Sequence, residues 1–145
     1  NTKIMKNIIL TFLLITTLTA CSKSETAEDT TIPQKLIGSW QYKGYFSHDI
    51  YDENGPVFFP TTNGNSIITF NGDNTFNQVL NSEQYTGTFS VINGTKLTIN
   101  YNPIPNGISG SGSTKIALLT ENELRISCLG ETPCDIDLYE KVVGD

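Results

Sequence analysis

The chain has one histidine and three cysteines among its 145 residues, so few of its side chains have the chemistry of a catalytic or metal-binding site. His48 stands beside Asp49, but no serine or cysteine nucleophile appears in a recognisable context around this pair. A metal site at Cys128 and Cys134 would need two further ligands, and His48 is the only histidine. We therefore predict a protein that is not an enzyme and that has no metal and no cofactor.

The charged residues exclude one class of partner. The chain has 9 basic and 15 acidic side chains, a formal net charge of −6, and its basic residues form no cluster after Lys6. A surface that neutralises nucleic-acid phosphates is therefore not expected. Glu131, Asp135 and Asp137 lie close together in the sequence, and we expect them on the solvated face of a strand.

The N-terminal segment has the layout of a signal peptide. A cationic start at Met5-Lys6 precedes an apolar run over residues 8–15, which is too short to span a bilayer as a stable helix. Leu18-Thr19-Ala20-Cys21 resembles the lipobox of bacterial lipoproteins. The resemblance implies that Met5 is the start, that cleavage occurs before Cys21, and that this cysteine carries diacylglycerol and an acyl chain such as palmitate.

Residues 22–33 read as a solvated tether. They are rich in Ser, Thr, Glu and Asp and end at Pro33, and they continue no helical apolar face. This argues against the alternative of a buried first helix with a free cysteine. Each buried CH₂ of an acyl chain contributes roughly 0.8 kcal/mol, so two or three chains anchor a protein without a basic patch.

The lipobox resemblance also implies a location and a division of the chain. In Gram-negative lipoproteins an Asp after the lipidated cysteine is associated with the inner membrane, and here that position is Ser22, which implies the outer membrane. We predict a signal peptide over residues 1–20, a lipidated cysteine and flexible tether over 21–34, and one folded domain over 35–145.

The folded domain is predicted to be all-β. Segments rich in Ile, Thr, Phe, Tyr and Val alternate with Asn-Gly, Gly-Asp and Glu-Asn clusters, and no stretch has apolar residues at helical spacing. The tight turns expected between strands make consecutive strands antiparallel neighbours. An eight-stranded meander loses its edges by closing, so we predict an antiparallel up-and-down barrel, with a sandwich as the alternative. The predicted strands are residues 36–46, 65–70, 75–80, 84–91, 95–101, 114–120, 123–129 and 134–142.

Period-two alternation also assigns side chains to faces and predicts a disulfide. If Cys21 carries lipid, Cys128 and Cys134 remain, in a compartment outside the cytosol where disulfides persist. Their pairing across the last hairpin aligns apolar residues on one face. The alternation also places Ile116 and Leu118 on the same apolar face. The expected cross-strand pairs are Ile126 with Ile136 and Leu124 with Leu138.

Several motifs resemble those of lipocalins. Gly38-Ser39-Trp40 resembles the G-x-W motif of the first strand. Over about residues 36–142 the sequence resembles the bacterial lipocalin-like domains that are common as envelope lipoproteins. The resemblance implies an eight-stranded barrel with Gly38 and Trp40 at its base and a basic residue, here Lys141, that caps the tryptophan. The other matching segments are 70–76, 86–90 and 96–99.

Loop lengths predict where a ligand would enter. In an up-and-down barrel, successive connections alternate between the two ends, so the linkers near 47–64, 81–83, 102–113 and 129–133 share one end, the mouth. The tight turns share the other end, with Trp40 nearby. Long loops at one end of a rigid barrel are the usual place for binding. An extra strand at 56–59 would change this alternation. The candidate mouth residues are Tyr45, Phe46, Tyr51, Phe58 and Phe59.

The linker over 47–60 supports two interpretations because it is unusually apolar for a loop. In the first, Tyr51, Phe58 and Phe59 form a lid over a cavity, and the protein is a membrane-anchored carrier of a small hydrophobic molecule. In the second, the same residues plug the mouth, and the protein is a structural or interaction lipoprotein whose loops contact an envelope protein or glycan. The sequence names neither the ligand nor a protein partner.

Overall fold

Nine antiparallel strands form one sheet in the part of the chain that the structure describes. The structure is a computed structural model, and it describes residues 29–62, 66–103, 110–130 and 132–143. The predicted signal peptide, Cys21, most of the tether and Glu131 lie outside the described residues. A 3₁₀ helix, Gln34–Leu36, precedes the strands. The strands are β1 (Gly38–Asp52), β2 (Gly55–Pro60), β3 (Ile67–Phe70), β4 (Thr75–Leu80), β5 (Glu83–Ile92), β6 (Lys96–Tyr101), β7 (Ser111–Leu119), β8 (Glu123–Cys128) and β9 (Ile136–Lys141).

The sheet closes because β1 pairs with three other strands. Along one edge it pairs with β9, from Trp40 opposite Lys141 to Phe46 opposite Ile136. Along its other edge it pairs first with β3 and then with β2. Since β2 and β3 occupy successive parts of the same edge, the ring has eight positions. The predicted eight-stranded antiparallel barrel is therefore confirmed, and the sandwich alternative is wrong.

The prediction that residues 47–64 form a loop was wrong over most of its length. β1 continues to Asp52, and β2 returns beside it as the second arm of a hairpin. The extra strand leaves the predicted alternation of the connections intact, because β2 and β3 both run antiparallel to β1. The connections after β1, β4, β6 and β8 share one end of the barrel, which we call the mouth, and the tight turns share the other end, which we call the base.

The hydrophobic core fills the base half of the barrel. Trp40 is fully buried and donates a hydrogen bond from Nε1 to the Leu36 carbonyl at 2.7 Å. Lys141 Nζ lies 5.0 Å from the centroid of the Trp40 ring and donates to the Lys35 carbonyl at 2.9 Å, so it covers the tryptophan from below. The buried apolar residues are Leu36, Trp40, Ile68, Phe70, Phe76, Phe89, Val91, Leu97, Ile116, Leu124 and Ile126.

The alternation predicted for β7 was wrong beyond Ile116. A bulge between Ile116 and Leu118 inverts the side-chain direction, because the extra residue breaks the period of two. Leu118 is consequently 38% exposed, and Leu119 packs against the core instead.

The predicted register of the last hairpin was wrong by one residue. Ile126 pairs with Asp137, and Leu124 pairs with Tyr139. This register turns Ile136 and Leu138 to the outer face of the barrel, where Ile136 pairs with Phe46 and Leu138 lies beside Phe58. On this part of the outer face, Ile136 and Leu138 lie beside other apolar side chains, while Asp137 and Tyr139 point inward. The structure also contradicts the expectation that Asp137 lies on a solvated face.

Gly44 permits the close contact between β1 and β2. Its φ is +141°, and a Cβ atom there would lie 2.1 Å from the Phe59 carbonyl oxygen and 2.8 Å from Pro60 Cα. Both atoms belong to the backbone of β2, so they cannot move away without separating the strands.

We expect Gly44→Ala to lower the free energy of unfolding by about 2 kcal/mol or more, since it combines overpacking with backbone strain. Gly72→Ala is the matched control, because a Cβ at Gly72 meets nothing within 4 Å. Denaturant unfolding measures both variants. Equal stability of the two proteins would contradict the assigned role of Gly44.

Candidate functional site

The side chains that face inward above the core form the candidate site. Paired residues on adjacent strands point to the same side of a sheet, so the partner of a buried residue also faces inward. Asp137 pairs with the buried Ile126, and Tyr139 pairs with the buried Leu124. Both side chains therefore project into the barrel. The same reasoning adds Tyr42, Tyr45, Phe59, Gln78, Tyr85, Ile99 and Tyr101.

Several of these residues form a polar layer between the core and the mouth. The Tyr42 hydroxyl donates to Asp137 Oδ1 at 3.3 Å, and the rings of Tyr42 and Tyr139 are 5.3 Å apart. From β6, the Tyr101 hydroxyl donates to Gln78 Oε1 at 2.7 Å. We call Tyr42, Gln78, Tyr101, Asp137 and Tyr139 the inner polar layer.

Exposure distinguishes the filled base from the mouth. The apolar core residues are at most 9% exposed, whereas inward-facing Tyr45, Phe59, Gln78 and Tyr101 are each partly exposed. A side chain that points into a barrel and still contacts solvent borders open space. The interior is therefore packed at the base and accessible at the mouth.

The five predicted mouth residues fall into three places. Tyr45 and Phe59 point inward, and their rings stack with centroids 5.4 Å apart at an interplanar angle of 20°. Phe46 and Phe58, their neighbours in sequence, pair on the outer face with centroids 5.0 Å apart. Tyr51 lies near the tip of the β1–β2 hairpin and is 64% exposed. Only Tyr45 and Phe59 are thus placed to contact a molecule in the mouth.

Comparisons with known proteins agree with this architecture. No family model matches the sequence, and no curated protein matches it. A crystal structure of a lipocalin-like protein from Bacteroides uniformis ATCC 8492 superposes with a TM-score of 0.56 at 18% sequence identity, covering 74% of this chain and 99% of that chain. The fold of this chain is lipocalin-like. An uncharacterized protein from Bacteroides eggerthii DSM 20697 matches with a TM-score of 0.49 and 14% identity over the same shares.

The lipocalin-like fold implied by the sequence motifs is therefore confirmed. At 18% identity the likeness concerns the fold alone. The chemistry of the site has to be derived from the side chains of this barrel.

Burial shifts the titration of the inner polar layer. Burial raises the pKa of the Asp137 carboxyl above its ordinary value, and the nearby Asp135 carboxylate acts in the same direction, while the hydrogen bond from Tyr42 acts against them. Burial, together with Asp137, raises the pKa of Tyr42 to about 12. Burial likewise raises the pKa of Tyr139. The two tyrosines therefore keep their protons at neutral pH and present hydroxyl groups to the interior.

A second polar cluster lies at the rim of the mouth. His48 Nδ1 is 2.7 Å from Asp135 Oδ1, and His48 Nε2 is 3.0 Å from Asp49 Oδ1. The His48 backbone N–H also donates to Asp135 at 3.0 Å. Both ring nitrogens contact carboxylates, so this histidine ties the wall of the barrel to the segment before β9. Local sequence patterns could not predict the contact with Asp135, since the two residues are 87 positions apart.

The predicted disulfide between Cys128 and Cys134 is confirmed. Its Cα atoms are 6.2 Å apart, within the range that disulfides span. The bond closes the connection between β8 and β9 beside Asp135. It therefore restrains one side of the mouth.

Within residues 29–62, 66–103, 110–130 and 132–143, no group of three or more His, Cys, Asp or Glu side chains is placed to hold a metal ion. Over the same ranges, no helix is long and apolar enough to span a bilayer.

We expect His48 to titrate above the ordinary histidine pKa of about 6.5, because its hydrogen bond to Asp135 favours the imidazolium form. A raised folded-state pKa means that the stabilisation is present below the unfolded pKa and lost as pH rises through the folded pKa. The pKa of Asp135 is lowered by the same hydrogen bond, so its share is lost as pH falls through that value. The pair is thus most stabilising in mildly acidic solution.

NMR titration measures this directly, since the chain has a single histidine. Asp135→Asn should lower the His48 pKa, and Asp49→Asn should lower it less, because the hydrogen bond to Asp135 is the largest cause of the raised pKa and the charge of Asp49 is a smaller one. An unchanged His48 pKa in Asp135→Asn would contradict the pairing.

Proposed function

We propose that this lipocalin-like barrel binds a small hydrophobic molecule at its mouth and that a lipid on Cys21 anchors it in the bacterial envelope, at the outer membrane. The observation that carries the binding proposal is the partial exposure of inward-facing side chains at the mouth, above a core that is closed. Ligand sites combine mostly apolar walls with a few placed polar groups, and this interior offers both.

The walls of the mouth are aromatic. The stacked rings of Tyr45 and Phe59 line one side, and Ile99 and Tyr101 line the other wall, on β6. A molecule that covers these side chains removes apolar surface from water, at about 25 cal/mol per Å². The inner polar layer below them supplies hydroxyl, amide and carboxylate groups that would fix its orientation.

The anchor would lie nearest the base. Asp29, the first described residue, accepts a hydrogen bond from the Asn93 backbone at the turn between β5 and β6, and its own N–H donates to Asn93 Oδ1. Lys35 pairs with Glu121 in the turn between β7 and β8 at 3.3 Å. The chain thus enters the barrel at the end opposite the mouth. With the lipid on Cys21, the base would face the membrane and the mouth would face away from it.

A second candidate function is contact with an envelope protein or glycan. The β1–β2 hairpin presents Ile50 at 50% and Tyr51 at 64% exposure. On the outer wall, a groove of about 410 Å³ is lined by Phe58, Pro60 and Leu138 together with polar side chains. These outward-facing surfaces favour an interaction role that would not use the interior.

A neutral fluorescent probe, N-phenyl-1-naphthylamine, separates the two functions. We expect it to bind the parent protein and Phe58→Ala alike, and to bind Phe59→Ala more weakly by about 1 to 2 kcal/mol, as expected for the loss of ring contact in the mouth. Phe58 is the matched control because it is the neighbouring phenylalanine on the outer face. Thermal unfolding of both variants checks the fold. No probe binding by the parent protein would favour the interaction role instead.

The anchor is tested by Cys21→Ala. We expect this variant to lack acyl chains and to leave the membrane fraction, since each lost CH₂ removes roughly 0.8 kcal/mol of membrane binding. The double variant Cys128→Ser with Cys134→Ser is the control, because it removes the other thiols and should stay membrane-bound. Cell fractionation and mass spectrometry give the readout. A Cys21→Ala protein that resists a high-salt wash would contradict the anchoring proposal.

A further inference from the structure

Asp137 is an inward-facing carboxylate at the edge of an open pocket at the mouth. The pocket has a volume of about 390 Å³ and is lined by Ser113, Thr114, Ile126, Ser127, Cys128, Leu129, Asp135 and Asp137. Because this pocket opens to solvent, a ligand group can reach Asp137 from the mouth. Asp137 therefore has room beside it for a ligand group.

In the described part of the barrel, the lysine and arginine side chains lie on the outer wall or at the base, away from Asp137. Lys43 pairs with Glu140 on the outer wall, and Arg125 lies over the outward-facing Phe46 ring. Lys35 and Lys141 lie at the base, and Lys96 and Lys115 are exposed partners on β6 and β7. His48, the remaining basic group near the mouth, is held by Asp49 and Asp135.

The resulting electrostatics select the charge of a ligand. A carboxylate ligand such as a fatty acid would bring a second negative charge beside Asp137 without a neighbouring cation to pair with it. A neutral ligand would displace water from the Asp137 carboxylate without supplying an opposite charge. Removing water from a charge that has no such partner is costly. A cationic ligand supplies the missing partner.

The surrounding rings favour the same charge. Tyr42 contacts Asp137 through its hydroxyl, Tyr45 is its cross-strand partner, and Tyr139 follows two residues later on the same face. The negative faces of aromatic rings attract ammonium groups within about 6 Å. The carboxylate and the aromatic rings together make a site suited to an ammonium group that is attached to an apolar body.

We infer that the ligand of this barrel is an organic amine with an apolar body, whose ammonium group pairs with Asp137 among the rings of Tyr42, Tyr45 and Tyr139. This inference rests on the proposed binding function and names the chemical class of its ligand. The apolar body lies against the stacked rings of Tyr45 and Phe59.

Three probes of similar size and different charge test the inference: 2-phenylethylamine, 2-phenylethanol and 3-phenylpropionate. Isothermal titration calorimetry on the purified full chain at pH 7 should show the amine binding at least tenfold more tightly than the alcohol, with no detectable binding of the acid. Asp137→Asn should weaken the amine at least tenfold and weaken the alcohol far less, so that the amine loses its advantage over the alcohol. Glu140→Gln, an acid on the outer face of the same strand, should change neither affinity.

The outcomes distinguish the two proposals. If the neutral probe binds but the amine has no advantage over the alcohol, or if Asp137→Asn leaves amine affinity unchanged, the amine inference is overturned while the binding function stands. If no probe binds the parent protein, both are overturned. If Asp137→Asn loses binding of the neutral probe as well as binding of the amine, then Asp137 shapes the site rather than selecting the charge of the ligand. That result would also overturn the inference.

Discussion

The barrel depends on the pairing of β1 with strands on both of its edges. Without it, β3 and β9 would each present a free edge of unpaired backbone groups, and the interior would have no closed wall. Trp40 lies where both pairings begin, opposite Ile68 on one side and Lys141 on the other. Its indole N–H donates a hydrogen bond to the 3₁₀ helix, and its ring contacts the Lys141 ammonium group. One side chain thus joins the entry of the chain, the first strand and the last strand at the base.

The mouth is a consequence of an irregularity in the same strand. Tyr42 and Tyr45 both face inward, although residues three apart point to opposite faces of a regular strand. The register shift between Tyr42 and Gly44 inserts one residue and restores Tyr45 to the inside. Because Phe59 is the partner of Tyr45, the shift also brings a second ring into the mouth. It turns Phe46 and Phe58 outward for the same reason. The identity of the mouth residues therefore depends on a single bulge.

Local sequence signals were sufficient for the closed barrel and for most of its core, because turn chemistry and alternation act between neighbours. They failed at β2, which was predicted as part of a linker. Its two prolines, Pro56 and Pro60, lack an N–H, but β2 pairs with only β1 among the described strands, so it tolerates them. They also failed wherever a bulge inverts the alternation, as at Leu118. The contacts of the candidate site join residues far apart in sequence, 95 positions for Tyr42 and Asp137. Only closure of the barrel brings such pairs together.

The two ends of the barrel differ in charge as well as in packing. Toward the base and on the outer wall of the described barrel, three basic side chains pair with carboxylates: Lys35 with Glu121, Lys43 with Glu140 and Arg125 with Glu123. Two of the four connections at the mouth contain acidic residues, and none of the four contains a lysine or arginine in the sequence. A concave site rimmed by one sign of charge raises the local concentration of oppositely charged solutes. The same field would repel an anionic membrane surface and attract soluble cations. The proposed anchor at the base and the proposed cationic ligand at the mouth are both consistent with this asymmetry.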